Sequence, residues 1–159
     1  MKRRTRYAAI AGLVLVAGCK PADPNHGRVD VPGIERAAHH TYVSAINSND
    51  PDRLIADLTD DVVYQAPGAP EIVGKAAVGA WIKSYLAAYH TKWEKTSIGF
   101  TVAGRWAFER YTYTSTNTDR KTGVVTTDVG KGVNVFHLEE DSKWRVAIDS
   151  WSSDKPRPN

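Results

Sequence analysis

Apolar residues recur at helical spacing through much of the first half of the chain. In segments 34–48 and 76–89 an apolar side chain returns every three or four residues, the repeat of an amphipathic helix. Between these segments, Asp50-Pro51 has the residue types of a helix start, with an N-cap carboxylate and a proline in the first turn. The pattern therefore predicts three helices.

One short run between the predicted helices, and almost all of the chain after residue 89, have the residue pattern of strands. A short β-branched and aromatic run at 62–66 ends in Pro67-Gly68-Ala69-Pro70, which must turn. Four longer runs come after it, at 92–102, 106–116, 128–138 and 143–152. Helices first and an antiparallel meander after them predict an α+β domain, with the helices packed on one face of a curved sheet.

The N-terminus has a basic segment followed by a short apolar run. The basic residues are Lys2, Arg3, Arg4 and Arg6. The apolar run, 7–17, is shorter than the roughly 20 residues that a membrane-spanning helix needs, and this indicates a secretion signal. It ends in Val16-Ala17-Gly18-Cys19, which resembles the lipobox of bacterial lipoproteins. The resemblance implies removal of a signal peptide, 1–18, and lipidation of Cys19, the only cysteine of the chain.

The rest of the chain is interpreted as a tether, one domain and a tail. Residues 19–32 form the flexible tether, 33–153 the domain and 154–159 a disordered tail. We expect the lipid on Cys19 to anchor this domain to a membrane of the bacterial cell envelope, on the periplasmic side or at the cell surface.

The charge of the chain does not favour nucleic acid as a partner. The full sequence has 21 basic and 18 acidic residues, but four of the basic ones precede Cys19. The chain from Cys19 onward is close to neutral, and its Lys and Arg side chains are scattered among acids. Nucleic-acid binding needs a basic patch on the folded domain, so we expect no such partner.

Several short motifs occur in a fixed order over residues 34–153. They are Ala45-Ile46-Asn47-Ser48-Asn49-Asp50, Asp60-Asp61-Val62-Val63, Gly74-Lys75-Ala76-Ala77, Trp106-Ala107-Phe108-Glu109-Arg110, Gly130-Lys131-Gly132, Lys143-Trp144-Arg145 and Asp149-Ser150-Trp151-Ser152. Together they resemble the SnoaL-like and ketosteroid-isomerase-like domains of the nuclear transport factor 2-like superfamily. The resemblance implies a cone-shaped fold with a pocket at its wide end, and a homodimer formed through the sheet.

The isomerase branch of this superfamily needs a carboxylate base and an oxyanion hole built from a tyrosine and a protonated aspartate. The resemblance places the tyrosine on Tyr42, the base on Ala66 and the oxyanion aspartate on Asn134. Alanine cannot accept a proton, and a neutral amide is a weaker donor than a carboxylic acid. Isomerase activity by the family mechanism is therefore not expected.

Other side chains at the pocket positions leave two interpretations open. Asp149 and Trp151 share a face of the last strand, which the resemblance turns toward the pocket. Asp149 could act there as a general acid or base, or it could bind a backbone group or an arginine in a structural role. Tyr64 could offer its phenol to a ligand or simply fill the core. The predicted pocket residues are Tyr42, Tyr64, Asn134, Asp149 and Trp151.

Two functions are compatible with these positions. The first is a non-catalytic lipoprotein that binds a small apolar molecule or a protein partner. The second is a cofactor-free enzyme of isomerase or cyclase type, using Asp149 with Tyr42 or Tyr64. The alanine at the base position favours the first. We expect no cofactor, and no metal, because none of the five histidines pairs at the HExxH spacing.

Overall fold

The structure is a computed structural model, and it describes residues 29–156. The predicted signal peptide, Cys19, most of the predicted tether and residues 157–159 lie outside the described residues. The helical segments are α1 (Val31–Glu35), a π-helical turn (Arg36–His40), α2 (Thr41–Asn47), α3 (Pro51–Ala56) and α4 (Lys75–Ala88). The strands are β1 (Leu58–Gln65), β2 (Ile72–Val73), β3 (Tyr89–Ala103), β4 (Trp106–Asp119), β5 (Val125–Leu138) and β6 (Trp144–Ser153).

All three predicted helices are present. The first is the continuous run of α1, the π turn and α2, and it begins at Val31, two residues before the predicted start of the domain. Helix α3 begins as expected, because the Asp50 carboxylate accepts hydrogen bonds from the backbone N–H groups of Asp52 and Arg53 at 3.0 and 3.3 Å. No helix within residues 29–156 has the length and apolar character needed to cross a membrane.

The six strands form one sheet in the order β2-β1-β6-β5-β4-β3. Strands β3 to β6 are the predicted antiparallel meander, but β1 lies parallel to β6, so the expectation of a wholly antiparallel sheet is wrong at this edge. The alternation of side chains shows which face of a strand is buried, not which way its partner runs. Register shifts interrupt β1, β3 and β6, as bulges that bend strands do.

The helices cover the concave face of the sheet and form the core with it. The fully buried apolar residues of this core include Ala45, Leu58, Val62, Val78, Ile82, Ala107, Phe136 and Val146. The structure is thus the predicted α+β fold, with helices on one face of a curved open sheet. Aromatic side chains that are only partly buried lie at one side of this core, where they surround a cavity.

Candidate functional site

A cavity of about 160 Å³ lies between the helices and the concave face of the sheet. Six aromatic side chains line it: Tyr42, Tyr64, Trp81, Tyr85, Trp93 and Trp151. The other lining residues are Ile46, Leu54, Ile82, Leu86, Thr91, Ser115, Asn117, Asp128 and Asp149. Four of the five predicted pocket residues therefore meet at this cavity, and Asn134 is not among them.

Asp149 is the centre of a buried hydrogen-bond chain at the cavity wall. The Tyr42 hydroxyl donates to Asp149 Oδ2 at 2.7 Å, and the Tyr111 hydroxyl donates to Oδ1 at 2.8 Å. The hydroxyls of Tyr42 and Tyr64 lie 2.7 Å apart. Because Tyr42 gives its proton to the carboxylate, it accepts the one from Tyr64. The partners that Asp149 finds are therefore phenols, rather than the backbone group or arginine expected of a structural carboxylate.

The three phenols of this chain are held in their protonated form. Burial raises the pKa of Tyr42, Tyr64 and Tyr111, and the negative charge of Asp149 raises all three further. At neutral pH each hydroxyl therefore remains a hydrogen-bond donor. At this chain of tyrosines, the cavity wall therefore offers a ligand acceptor capacity, on the oxygens of Asp149 and Tyr64.

Two glycines of β5 allow tyrosines of β4 to reach across it. A Cβ atom on Gly132 would lie 2.4 Å from the Tyr111 hydroxyl, and one on Gly130 would lie 2.7 Å from the Tyr113 hydroxyl. Strand β5 lacks side chains at these two positions, so both rings lie over it: Tyr111 bonds to Asp149 on β6, and Tyr113 bonds to Asp128 of β5 and to the carbonyl oxygen of Ser152 on β6. Sequence reasoning missed Tyr111. The signal for it was the pair of glycines in an otherwise regular strand, which often marks a close approach.

A second buried polar cluster lies against this chain of tyrosines. The Lys95 ammonium donates to Asn134 Oδ1 at 2.8 Å and lies 3.6 Å from the centroid of the Tyr111 ring. Burial lowers the pKa of Lys95, while the charges of Asp149 and Glu109 act in the opposite direction. Asn134, placed in the pocket by the sequence, therefore holds a buried lysine instead of facing the cavity.

His39 and Glu109 complete this cluster. His39 Nδ1 lies 2.5 Å from Glu109 Oε1, with side-chain exposures of only 8% and 1%. His39 is presented by the π turn, in which it and its neighbour Ala38 are both buried.

A row of polar residues crosses the sheet. Its members are successive register partners on β4, β5, β6 and β1, namely Glu109, Asn134, Asp149 and Tyr64. Local sequence patterns contain no signal for this row, because each of its members lies on a different strand.

The position of the family base carries no chemistry in this chain. Ala66 follows the last residue of β1, and it is not among the residues lining the cavity. The carboxylates at the cavity wall are those of Asp149, which is buried, and Asp128, which is half-buried.

Over residues 29–156, no three His, Cys, Asp or Glu side chains come together as metal ligands would.

A curved sheet wrapped on helices around an aromatic cavity is the architecture of the nuclear transport factor 2-like superfamily. The chain is similar to a ketosteroid isomerase-like protein from Erwinia carotovora atroseptica, with 26% identity over 80% of this chain and 98% of the other, at a TM-score of 0.71. It is similar in fold to a candidate dehydratase of the NTF2-like family from Streptomyces avermitilis, with 16% identity over 79% and 98% of the two chains and a TM-score of 0.71.

A third similar structure is an NTF2-like superfamily protein from Salmonella enterica, with 15% identity over 76% and 89% of the chains and a TM-score of 0.62. The family model of the SnoaL-like domain matches residues 39–147, and the chain belongs to this family. Among curated proteins no significant match is found.

Proposed function

We propose that this SnoaL-like domain binds a small apolar molecule that carries a hydroxyl or amine group, and that it does so without catalysis. The observation that carries the proposal is the aromatic cavity with Asp149 and Tyr64 at its wall. Its volume of about 160 Å³ is near that of an engineered protein cavity of about 150 Å³ that binds benzene. The size therefore favours a ligand with a single ring or a similarly compact hydrocarbon body.

The polar part of the ligand is set by the hydrogen-bond chain. Tyr42 and Tyr111 use their protons on Asp149, and Tyr64 uses its own on Tyr42. Asp149 and Tyr64 keep further lone pairs on their oxygens, and these can accept a hydrogen bond from a ligand. A ligand hydroxyl or amine supplies such a donor, while the surrounding rings hold the apolar body.

Binding is favoured over turnover because the candidate positions for a catalytic base do not supply a free one. Ala66 has no titratable group, and Asp149 already receives two phenol donors. An enzyme of isomerase or cyclase type, with Asp149 as base and Tyr42 or Tyr64 as oxyanion donor, is the second candidate. The observation in its favour is a carboxylate at the wall of a cavity in a chain that is 26% identical to a ketosteroid isomerase-like protein.

The experiment is thermal unfolding with and without benzyl alcohol, a single-ring probe with a hydroxyl donor. Ligand that binds only the native state raises the free energy of unfolding, by about 2.7 kcal/mol at 100 times Kd. Asp149→Asn should weaken this stabilisation through the polar contact, and Trp151→Ala through the apolar wall. Asp61→Asn, an exposed acid outside the cavity, is the matched control.

Two outcomes would change the proposal. Turnover of a ketosteroid or polyketide-like substrate, lost in Asp149→Asn with folding intact, would establish the enzyme instead. If no small molecule stabilises the chain, a protein partner becomes the preferred ligand.

We also propose that Cys19 carries the lipid and that the segment after it tethers the domain to a membrane of the cell envelope. The support is the sequence of the N-terminus, because Cys19 lies outside the described residues.

A homodimer through the convex face of the sheet is a further part of the proposal. Its support is a set of large apolar side chains that this face exposes, 40 to 49% accessible: Ile98, Trp106, Phe108 and Val133. Exposed apolar patches of this kind are typical of interaction surfaces.

A further inference from the structure

We propose that the ligand of this cavity is an organic cation, a small ammonium ion held in a cage of aromatic rings between two carboxylates. This inference rests on the proposed function, namely that the cavity binds a small molecule, and it adds the charge of that molecule.

The first observation is the charge of the cavity wall. Its two ionisable acids are Asp149, buried, and Asp128, half-buried. Among the described residues, no Lys, Arg or His side chain lines it. A ligand that enters therefore meets two carboxylates on a wall that holds no basic group, and a cation is the complementary occupant.

The surroundings of Asp128 stabilise its ionised form. Tyr113 donates a hydrogen bond to its Oδ2 at 2.7 Å, and Ser153 donates to its Oδ1 at 2.6 Å. Burial opposes ionisation, but these two hydrogen bonds, a third with the backbone of Val129 and the positive charge of Lys155 together prevail and lower the pKa of Asp128. The carboxylate therefore contributes a full negative charge to the cavity at neutral pH.

The second observation is the arrangement of the rings. The plane of Tyr64 is inclined by 75° to Trp81 and by 89° to Trp151, with ring centroids 5.9 and 5.8 Å apart. Trp93 is inclined by 87° to Trp151. Rings at such angles form walls that face different directions, as in the aromatic cages that recognise quaternary ammonium groups, and the face of an aromatic ring attracts a cation.

The ammonium group of the buried Lys95 is not itself the cation of this cavity. Lys95 directs its ammonium to Asn134 and against the ring of Tyr111, and it does not line the cavity. Its charge acts on both Asp149 and Glu109, so one lysine is shared between two buried carboxylates. Lys155 acts on Asp128 without lining the cavity, since its exposed ammonium contacts the carbonyl oxygen of Thr127. Part of the charge of both Asp128 and Asp149 therefore remains for a cation in the cavity.

The test compares two probes of nearly equal size, benzylamine, which is a cation at neutral pH, and benzyl alcohol, which is neutral. The full chain is purified in dodecyl maltoside, and the Kd of each probe is measured by calorimetric titration at low ionic strength. We expect benzylamine to bind about tenfold more tightly, since a desolvated cation–π contact contributes at least that factor. Asp128→Asn and Asp149→Asn should each reduce this ratio, while Asp61→Asn should preserve it.

Each outcome decides a different claim. A ratio near one with measurable binding of both probes would overturn the cation inference and leave the proposed function standing. If neither probe binds, both the cation inference and the proposed function are overturned. A tenfold preference that survives both cavity substitutions would also overturn the inference, because the charge responsible would then lie elsewhere.

Discussion

The hydroxyl of Tyr111 donates a hydrogen bond to Asp149 across an intervening strand, at 2.8 Å. The contact exists because the residue between them, Gly132, has no side chain to block the ring. Tyr42 binds the other oxygen of the same carboxylate from the helix side. The orientation of Asp149 is therefore fixed from both layers of the domain, before any ligand enters.

Gly132→Ala should break this arrangement. The added Cβ would lie 2.4 Å from the Tyr111 hydroxyl and 2.5 Å from the carbonyl oxygen of Ser150, and a backbone atom cannot move aside cheaply. We expect the free energy of unfolding in urea to fall by about 1–3 kcal/mol. The control is Thr112→Ala, an exposed residue of β4, which should stay within about 0.5 kcal/mol. If Gly132→Ala lowers the free energy of unfolding as little as Thr112→Ala does, Tyr111 is not closely packed over β5.

The buried tyrosines predict a loss of stability in alkali. Folding raises the pKa of Tyr42, Tyr64 and Tyr111 above the usual value of 10.0. Their contribution to stability is therefore complete below pH 10 and is lost as the pH rises above it, by up to about 1.4 kcal/mol per pH unit for each phenol. Urea unfolding between pH 9 and 11 should show this decline, and Tyr64→Phe should make it shallower. Native protein whose phenols all ionise near pH 10 without unfolding would refute the assignment.

The convex face predicts the oligomeric state. A charge placed among its exposed apolar side chains, as in Phe108→Lys, should convert a dimer into a monomer in solution scattering of residues 29–159, because the lysine cannot be buried unpaired. Val124→Lys, at a more exposed apolar position in the turn between β4 and β5, should leave the dimer intact. A wild-type monomer at micromolar concentrations would dispose of the dimer without affecting the fold.

The N-terminal motif predicts a covalent lipid. In bacterial cells fed labelled palmitate, the wild-type chain should incorporate label and sediment with membranes. Cys19→Ala should do neither, since the acyl chains provide the membrane affinity. Cys19 is the only cysteine, so no other thiol can take the label. An unlabelled wild-type chain would show that the lipobox resemblance misleads.

The sequence predicted the elements well because their signals are local. Helical spacing, the Asp50-Pro51 start and strand alternation each depend on neighbouring residues, and the structure confirms them. The parallel pairing of β1 with β6 was not predicted, since those strands are separated by more than half of the described chain.

The site was predicted only in part for the same reason. Tyr42, Tyr64, Asp149 and Trp151 line one cavity, but the partners of Asp149 depend on geometry across strands. Asn134 was assigned to the pocket by position within the family pattern, and in the structure it bonds to Lys95 on β3 instead, a contact across strands that local sequence cannot show. The hydrogen bond of Tyr111 to Asp149 depends on the absence of a side chain at Gly132. The sequence around Tyr111 gives no sign of this contact, because Gly132 lies on a different strand.

If the cavity around Asp149 holds one small ring-sized molecule, filling that cavity should abolish the binding of benzyl alcohol, and calorimetric titration measures this. Ser115→Phe adds a ring at the cavity wall, and Thr112→Phe adds the same ring on the exposed side of the same strand. We predict saturable binding of one probe per chain to the wild type and to Thr112→Phe, and none to Ser115→Phe. Equal binding by all three proteins, or no saturable binding by the wild type, would show that the cavity is not a binding site for such a molecule.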